Sequence, residues 1–324
     1  LAALTLVAGT FLGETVAQPF FRDVVPQVRL LVALPLLFLA HRAIDPGVHA
    51  VVHNLDESGV IPDDAKPQYE DALLELGKAR DAVLPDVLLL ALAFLLSWLL
   101  HTGYGRTGSE AAVTSWLWAP SQGDASFSLA GLWYVLVSGP IFQFILYRWA
   151  WRFLIWARFL YRVSRMPLAL RVTHPDLCGG LGLVGLGQQT FALVFVAFAA
   201  MMSSTFAHNI LVDGATFDET KPEILVFVLA CILAIYAPLT FFTGKMQRAR
   251  RSGLSQYGAL GHHLSDAFHS IWIDGAPPDV GVKLKGSADP STMADYGATF
   301  DTVRHMRIMP LALKGVAVVG AALL

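Results

Sequence analysis

The fold class this sequence predicts is all-α: a polytopic bundle of transmembrane helices, about seven spans, with further interfacial helices on the cytoplasmic side. Three observations carry that expectation. From Leu177 to Val212 the chain has no Asp, Glu, Lys or Arg, a longer stretch than the roughly 20 apolar residues a helix needs to cross a bilayer. The chain is 55% hydrophobic and only 15% charged, with a mean hydropathy of +0.55, which leaves too little polar surface to cover 324 residues in water. The two-residue alternation of a membrane β-barrel is absent.

Seven apolar stretches are candidate spans: Leu1 to Gly13, Val24 to Ala40, Val83 to His101, Phe127 to Tyr147, Gly182 to His208, Ile224 to Thr243, and Met309 onward. The first and last read as truncated, because the chain opens without Met inside one apolar run and stops inside another. The opening run has neither a basic leader nor a small-residue cleavage pattern, so it reads as part of a span and not as a signal peptide. The chain then divides into two spans (1–41), an acidic hairpin (42–82), two spans with an outer loop (83–147), a basic aromatic segment (148–176), two spans (177–243), a polar helical segment (244–308) and the start of a last span (309–324).

Orientation follows from basic residues, which concentrate on the cytoplasmic side. Arg148, Arg152, Arg158, Arg162, Arg165 and Arg171 follow the fourth span, and Lys245, Arg248, Arg250 and Arg251 follow the sixth. The links between the third and fourth spans and between the fifth and sixth carry only Arg106 and Lys221, so they face outward. The first cytoplasmic segment, Arg42 to Asp81, sets nine carboxylates against four basic residues and reads as a helical hairpin broken at Gly59 to Pro62. The third reads as a basic helix leading to His262, His263 and His269, a break at Pro277 and Pro278, and a second helix with Asp289 as cap and Pro290 in its first turn.

The second cytoplasmic segment is the most patterned. At about 100° per residue, Arg148, Arg152, Arg158, Arg162 and Arg165 share an arc of about 140°. Trp149, Trp151, Phe153, Trp156, Phe159 and Tyr161 interleave with them, as suits a helix leaving the bilayer through the headgroup layer. The plain reading is membrane anchoring with snorkelling arginines. The functional reading makes Arg152, Arg158, Arg162, Arg165 and Arg171 contacts for an anion or an anionic lipid headgroup, with the acidic first segment as the internal partner.

His174, Pro175 and Asp176, followed by Cys178, Gly179 and Gly180, form a polar elbow at the mouth of the fifth span. Asp176 reads as the cap of the next helix, with His174 as a candidate proton-sensing partner. Gly180, Gly182 and Gly185 spell G-x-G-x-x-G, but no strand precedes them, so close helix packing replaces nucleotide binding as the reading. His49 and His53 share a helix face without the glutamate or third ligand that zinc chemistry needs. No metal, cofactor or nucleic-acid partner is expected. Within the membrane, Glu14 and Arg29 are a candidate ion pair; the remaining polarity is sparse and mostly neutral, including Gln143, Gln188, Gln189 and Ser203. Cys178 and Cys231 read as buried thiols.

Several stretches resemble a family of uncharacterised bacterial multi-pass membrane proteins. They are Val28 to Phe38 (VRLLVALPLLF), Arg152 to Arg165 (RFLIWARFLYRVSR), Thr173 to Leu183 (THPDLCGGLGL), Tyr257-Gly258-Ala259-Leu260, and Leu284 to Met306 (LKGSADPSTMADYGATFDTVRHM). The resemblance covers nearly the whole chain. It implies a bacterial inner-membrane location and a last membrane region that continues past residue 324; it implies no activity and transfers no catalytic residue.

The residues favour a non-enzymatic membrane protein, a scaffold or oligomeric pore, whose cytoplasmic layer docks on the arginine stripe. Its expected partners are membrane lipids, anionic on the cytoplasmic side, and further copies of itself. One rival is an enzyme or binding protein for lipid or lipid-linked phosphate, with His174 and Asp176 as acid or base and Arg162, Arg165 and Arg171 on phosphate; it requires a cavity reaching His174 from the bilayer. A second rival, a solute transporter, requires a polar cavity lined by Gln143, Gln188, Gln189 and Ser203.

Overall fold

A computed structural model describes residues 1–8, 10–12, 18–106, 115–118, 126–212, 214–275, 290–311 and 313–323. These residues form helices and connecting turns, with two isolated bridges and no strand among them. In chain order the helices are α1 (Ala2–Val7), α2 (Val24–Glu57), α3 (Lys66–Arg80), α4 (Val83–Arg106), α5 (Leu129–Arg165), α6 (Gly182–Leu211), α7 (Phe217–Trp272), α8 (Pro290–His305) and α9 (Leu313–Leu323).

Five of them, α2, α4, α5, α6 and α7, are long and apolar enough to cross a membrane. The opening and closing apolar stretches form α1 and α9, of 6 and 11 residues. At 1.5 Å per residue these reach about 9 and 16 Å, short of the roughly 30 Å hydrocarbon core. Only 11% of the Val83–Leu100 window is buried, and Leu84, Val87, Leu88, Leu95 and Leu99 point outward from it. So much exposed apolar surface suits lipid and not water. The chain is a helical membrane protein.

Local chemistry sets the helix limits. Asp23 accepts from the Val25 amide (3.2 Å) to start α2, and the Ser128 hydroxyl accepts from the Gly131 amide (2.9 Å) to start α5. Thr216 and Glu219 form a reciprocal capping box on α7. At the other end of α5, Pro167 forces Met166 into an extended conformation and stops the helix at Arg165. Nothing stops α2 at residue 41 or α5 at residue 147, so both run on from apolar into charged sequence; Pro46 is accommodated inside α2. The acidic hairpin is therefore the end of α2 folded back into α3 across 58–65, the last three residues of which form a 3-10 turn. The expected cap Asp289 and the break at Pro277 and Pro278 lie outside the described residues.

Named contacts give the packing directions. Arg29 meets Tyr134 and Asp45 meets Arg152, so α2 and α5 run parallel. Asp86 meets Arg148 and Ser97 meets Val135, so α4 runs antiparallel to α5. α6 crosses α2 where Gly47 faces Thr190 and Gly187 faces Val51; a methyl group on Gly187 would collide with Val51, so the small residue sets this close approach. One continuous core, including Leu37, Ile44, Tyr69, Trp156, Phe191 and Phe242, joins α2, α3, α5, α6 and α7.

Candidate functional site

The arginine stripe lies on α5 and is largely neutralised by acids of other helices. Arg148 pairs with Asp86 at the start of α4, and Arg152 with Asp45 of α2, which also holds His41 at 3.4 Å. Glu75 of α3 takes two arginines at one oxygen, Arg162 at 2.7 Å and Arg158 at 3.2 Å. Apolar packing completes the seat of α3. Tyr69 is buried against Phe159 and donates its hydroxyl to the Val52 carbonyl at 2.8 Å, and Trp151 donates to the Ala79 carbonyl at 3.2 Å. Burial, with a smaller push from the Asp56 charge, raises the Tyr69 hydroxyl above its ordinary range. Of the five candidate anion contacts, Arg152, Arg158 and Arg162 are thus engaged within the chain. Arg165 instead stacks on Tyr161, and the Arg171 side chain is exposed.

The elbow is organised around Asp176. Its carboxylate accepts from the amides of Cys178 (2.7 Å), Gly182 (2.8 Å) and Gly180 (3.1 Å), and His174 Nδ1 lies 2.8 Å from it. Burial pushes the carboxyl up, but the three amides and His174 outweigh it and hold Asp176 below its ordinary value. Collecting these amides requires an unusual backbone. Gly179 and Gly180 take positive φ of 69° and 97°, and Leu177 does so at 57°, a conformation a branched side chain rarely adopts. The Arg307 amide donates to the Leu177 carbonyl at 2.8 Å, fixing the segment after α8 over the elbow. A methyl group on Gly185 would collide with the Pro310 carbonyl, so the glycine pattern serves close packing. Burial also raises the Cys178 thiol, which makes it a poor nucleophile.

Beside the elbow lies a cavity of about 370 Å³. Its polar wall includes His174, Asp176, Asn54 and Arg307, and its apolar wall Leu183, Leu186 and Leu311. Gln189 also lines it, and its buried Nε2 has no hydrogen-bond partner among the described residues.

Within the membrane-spanning part, Glu14 lies outside the described residues, and its expected partner Arg29 donates to the Tyr134 hydroxyl at 2.7 Å and sits 5.5 Å from the Phe142 ring centre. Both Arg29 and Tyr134 begin a wide π-type turn, in α2 and α5. Of the four residues required for a transport cavity, Gln188, Gln189 and Ser203 do not converge. Gln188 is fully buried, accepting from Trp156 Nε1 at 2.9 Å and donating to the Ile235 carbonyl at 2.5 Å, while Ser203 faces outward and Gln189 faces the elbow cavity. Gln188 is a tie between α5, α6 and α7, whereas the sequence marks it only as one neutral polar residue among several. Nothing in the local sequence separates it from its neighbour Gln189.

Fold and site together define a helical membrane protein in which four arginines of α5, Arg148, Arg152, Arg158 and Arg162, are paired with carboxylates of other helices. No protein family, no curated protein and no solved structure matches the chain.

Proposed function

We propose that the chain is an integral protein of the bacterial inner membrane, a non-enzymatic scaffold whose cytoplasmic layer is locked to the bundle through the arginine stripe. The observation that carries this reading is the double pairing of Glu75 with Arg158 and Arg162, next to Arg152–Asp45 and Arg148–Asp86. Four stripe arginines that could recruit an acidic partner are paired inside the chain, as structural glue requires. The bias of basic residues supports the cytoplasmic assignment, and the sequence resemblance supports the bacterial one.

The test is charge reversal in the full chain in nanodiscs. With Arg152, Arg158 and Arg162 changed to Glu, hydrogen-exchange protection of residues 66–80 should fall by at least tenfold, and Glu75→Arg in that background should recover part of it. Unchanged protection removes the docking role. The particle mass in the same preparation reads out the homo-oligomer that belongs to this proposal.

The elbow cavity favours a second reading, an enzyme or binding protein for lipid-linked phosphate, because it joins His174 and Arg307 to an apolar wall. Asp176 is committed to backbone amides here, which leaves His174 as the one acid or base of the pair. Phosphate release from phosphatidic acid vesicles, lost in His174→Gln, would favour this reading; no release by the unaltered chain would remove it.

A further inference from the structure

At the last turn of α5 the pairing of charges stops. Arg165, Lys245 and Arg248 line one cleft of about 410 Å³, together with Tyr161, Phe241 and Gly244. No carboxylate pairs with any of the three cations among the described residues. Their contacts are neutral: Arg165 stands over the Tyr161 ring at 5.0 Å and donates to its hydroxyl at 2.9 Å, and Arg248 donates to the Gly244 carbonyl at 3.1 Å. Lys245 donates to the Met166 carbonyl, so it covers the electronegative carbonyl end of α5 and turns the remaining field of the cleft positive.

Three like charges in one cleft repel one another unless an anion lies between them. This chain balances its other stripe arginines with Asp45, Glu75 and Asp86 but places no acid here. The cleft also has an apolar flank. Tyr161 and Phe241 meet edge to face at 5.3 Å and are both about 40% exposed, the arrangement aromatic side chains adopt at a headgroup layer. Gly244 opens onto free space, with no atom within 4 Å of where a Cβ would stand.

We propose that this cleft binds a phosphate-bearing anion, with the guanidinium groups of Arg165 and Arg248 supplying paired donors to its oxygens and Lys245 a point charge. The phosphate belongs to an anionic lipid headgroup or is free in solution. The site depends on the cleft lying at a membrane surface, but neither on which face that is nor on the docking of α3, so it can fail or hold independently of the scaffold reading.

The test uses the full chain in phosphatidylcholine nanodiscs, with phosphatidylglycerol added in one arm and inorganic phosphate in the other. Bound lipid is counted by native mass spectrometry, and phosphate binding is read as a thermal shift. Three variants are compared: Arg165→Gln with Arg248→Gln; Gly244→Glu, which puts a negative charge into the open space; and a control of equal charge loss at two exposed arginines outside the cleft, Arg42→Gln with Arg251→Gln. At roughly fivefold per basic residue near an anionic surface, phosphatidylglycerol retention should fall about 25-fold in the first variant and fall in the second, while the control keeps it. If phosphate protects the unaltered chain and the two cleft variants lose that protection, the ligand is free phosphate. If the cleft variants match the unaltered chain in both arms, or the control loses as much as they do, the site is overturned. Should Gly244→Glu not fold, the arginine pair decides alone.

Discussion

The elbow and the stripe solve the same problem, a charge held at the edge of an apolar bundle, with different partners. Asp176 is satisfied by backbone amides from its own turn, at the expense of three residues with positive φ. Four of the five stripe arginines are paired with carboxylates from three other helices, and several of those groups stay half open to solvent: Glu75 is 50% exposed and Arg158 74%. Amide coordination is local and insensitive to salt. Ion pairs are long-range in sequence, bring helices together, and weaken as solvent and salt screen them.

That contrast can be broken first at Asp176. Asp176→Asn leaves amides of Cys178, Gly180 and Gly182 competing for one neutral oxygen where a carboxylate served them all, and should lower unfolding stability by about 3 kcal/mol or more. Thermal unfolding in detergent would show it, and a change within error of zero would mean the elbow is not held by this residue. Acid gives a comparable but titratable version. Because the folded-state pKa of Asp176 is depressed, its contribution is fully present above the unfolded value of about 3.9 and is lost as pH falls through the folded value. Hydrogen exchange at residues 177–182 should therefore stay protected down to about pH 4 and open below it, with that step absent in Asp176→Asn. At the stripe, Glu75→Gln should cost at most about 1 kcal/mol, since its pairs are half exposed, and should show as faster exchange in α3 alone. Raising salt from 0.1 to 1 M should cost a few tenths of a kcal/mol, loosening α3 and leaving the elbow unchanged; the opposite pattern would invert the comparison.

How much of this was legible in the chain divides along the same line. The elbow was readable because its pieces are contiguous: a capping Asp, a proline and paired glycines within seven residues imply a turn that feeds amides to a carboxylate. The stripe was readable as a face of α5, and the acidic segment as its partner, but the individual pairs were not, because Asp45, Glu75 and Asp86 reach it from three helices whose crossing no local pattern encodes. The continuity of α2 through residue 41 was hidden by a change in composition that looks like a boundary, although no Pro or Gly falls between Leu36 and Asp45. Pro46, further on, is carried inside the helix. The Gln188 tie and the acid-free cleft at Arg165 depend on α7 folding back against α5, information that lies in packing alone.

The parallel pair α2 and α5 has a mechanical side. Arg29–Tyr134 joins the two rods near one end and Asp45–Arg152 joins them 16 residues further along α2, which at 1.5 Å per residue sets the two rungs about 24 Å apart. That spacing is close to the thickness of a hydrocarbon core. A ladder pinned at both levels resists shear, so a thinner or thicker bilayer tilts the two helices as one body without sliding one past the other. Both rods continue as helix past the second rung into the charged layer, α2 to Glu57 and α5 to Arg165, so the tilt of the pair reaches the residues that seat α3.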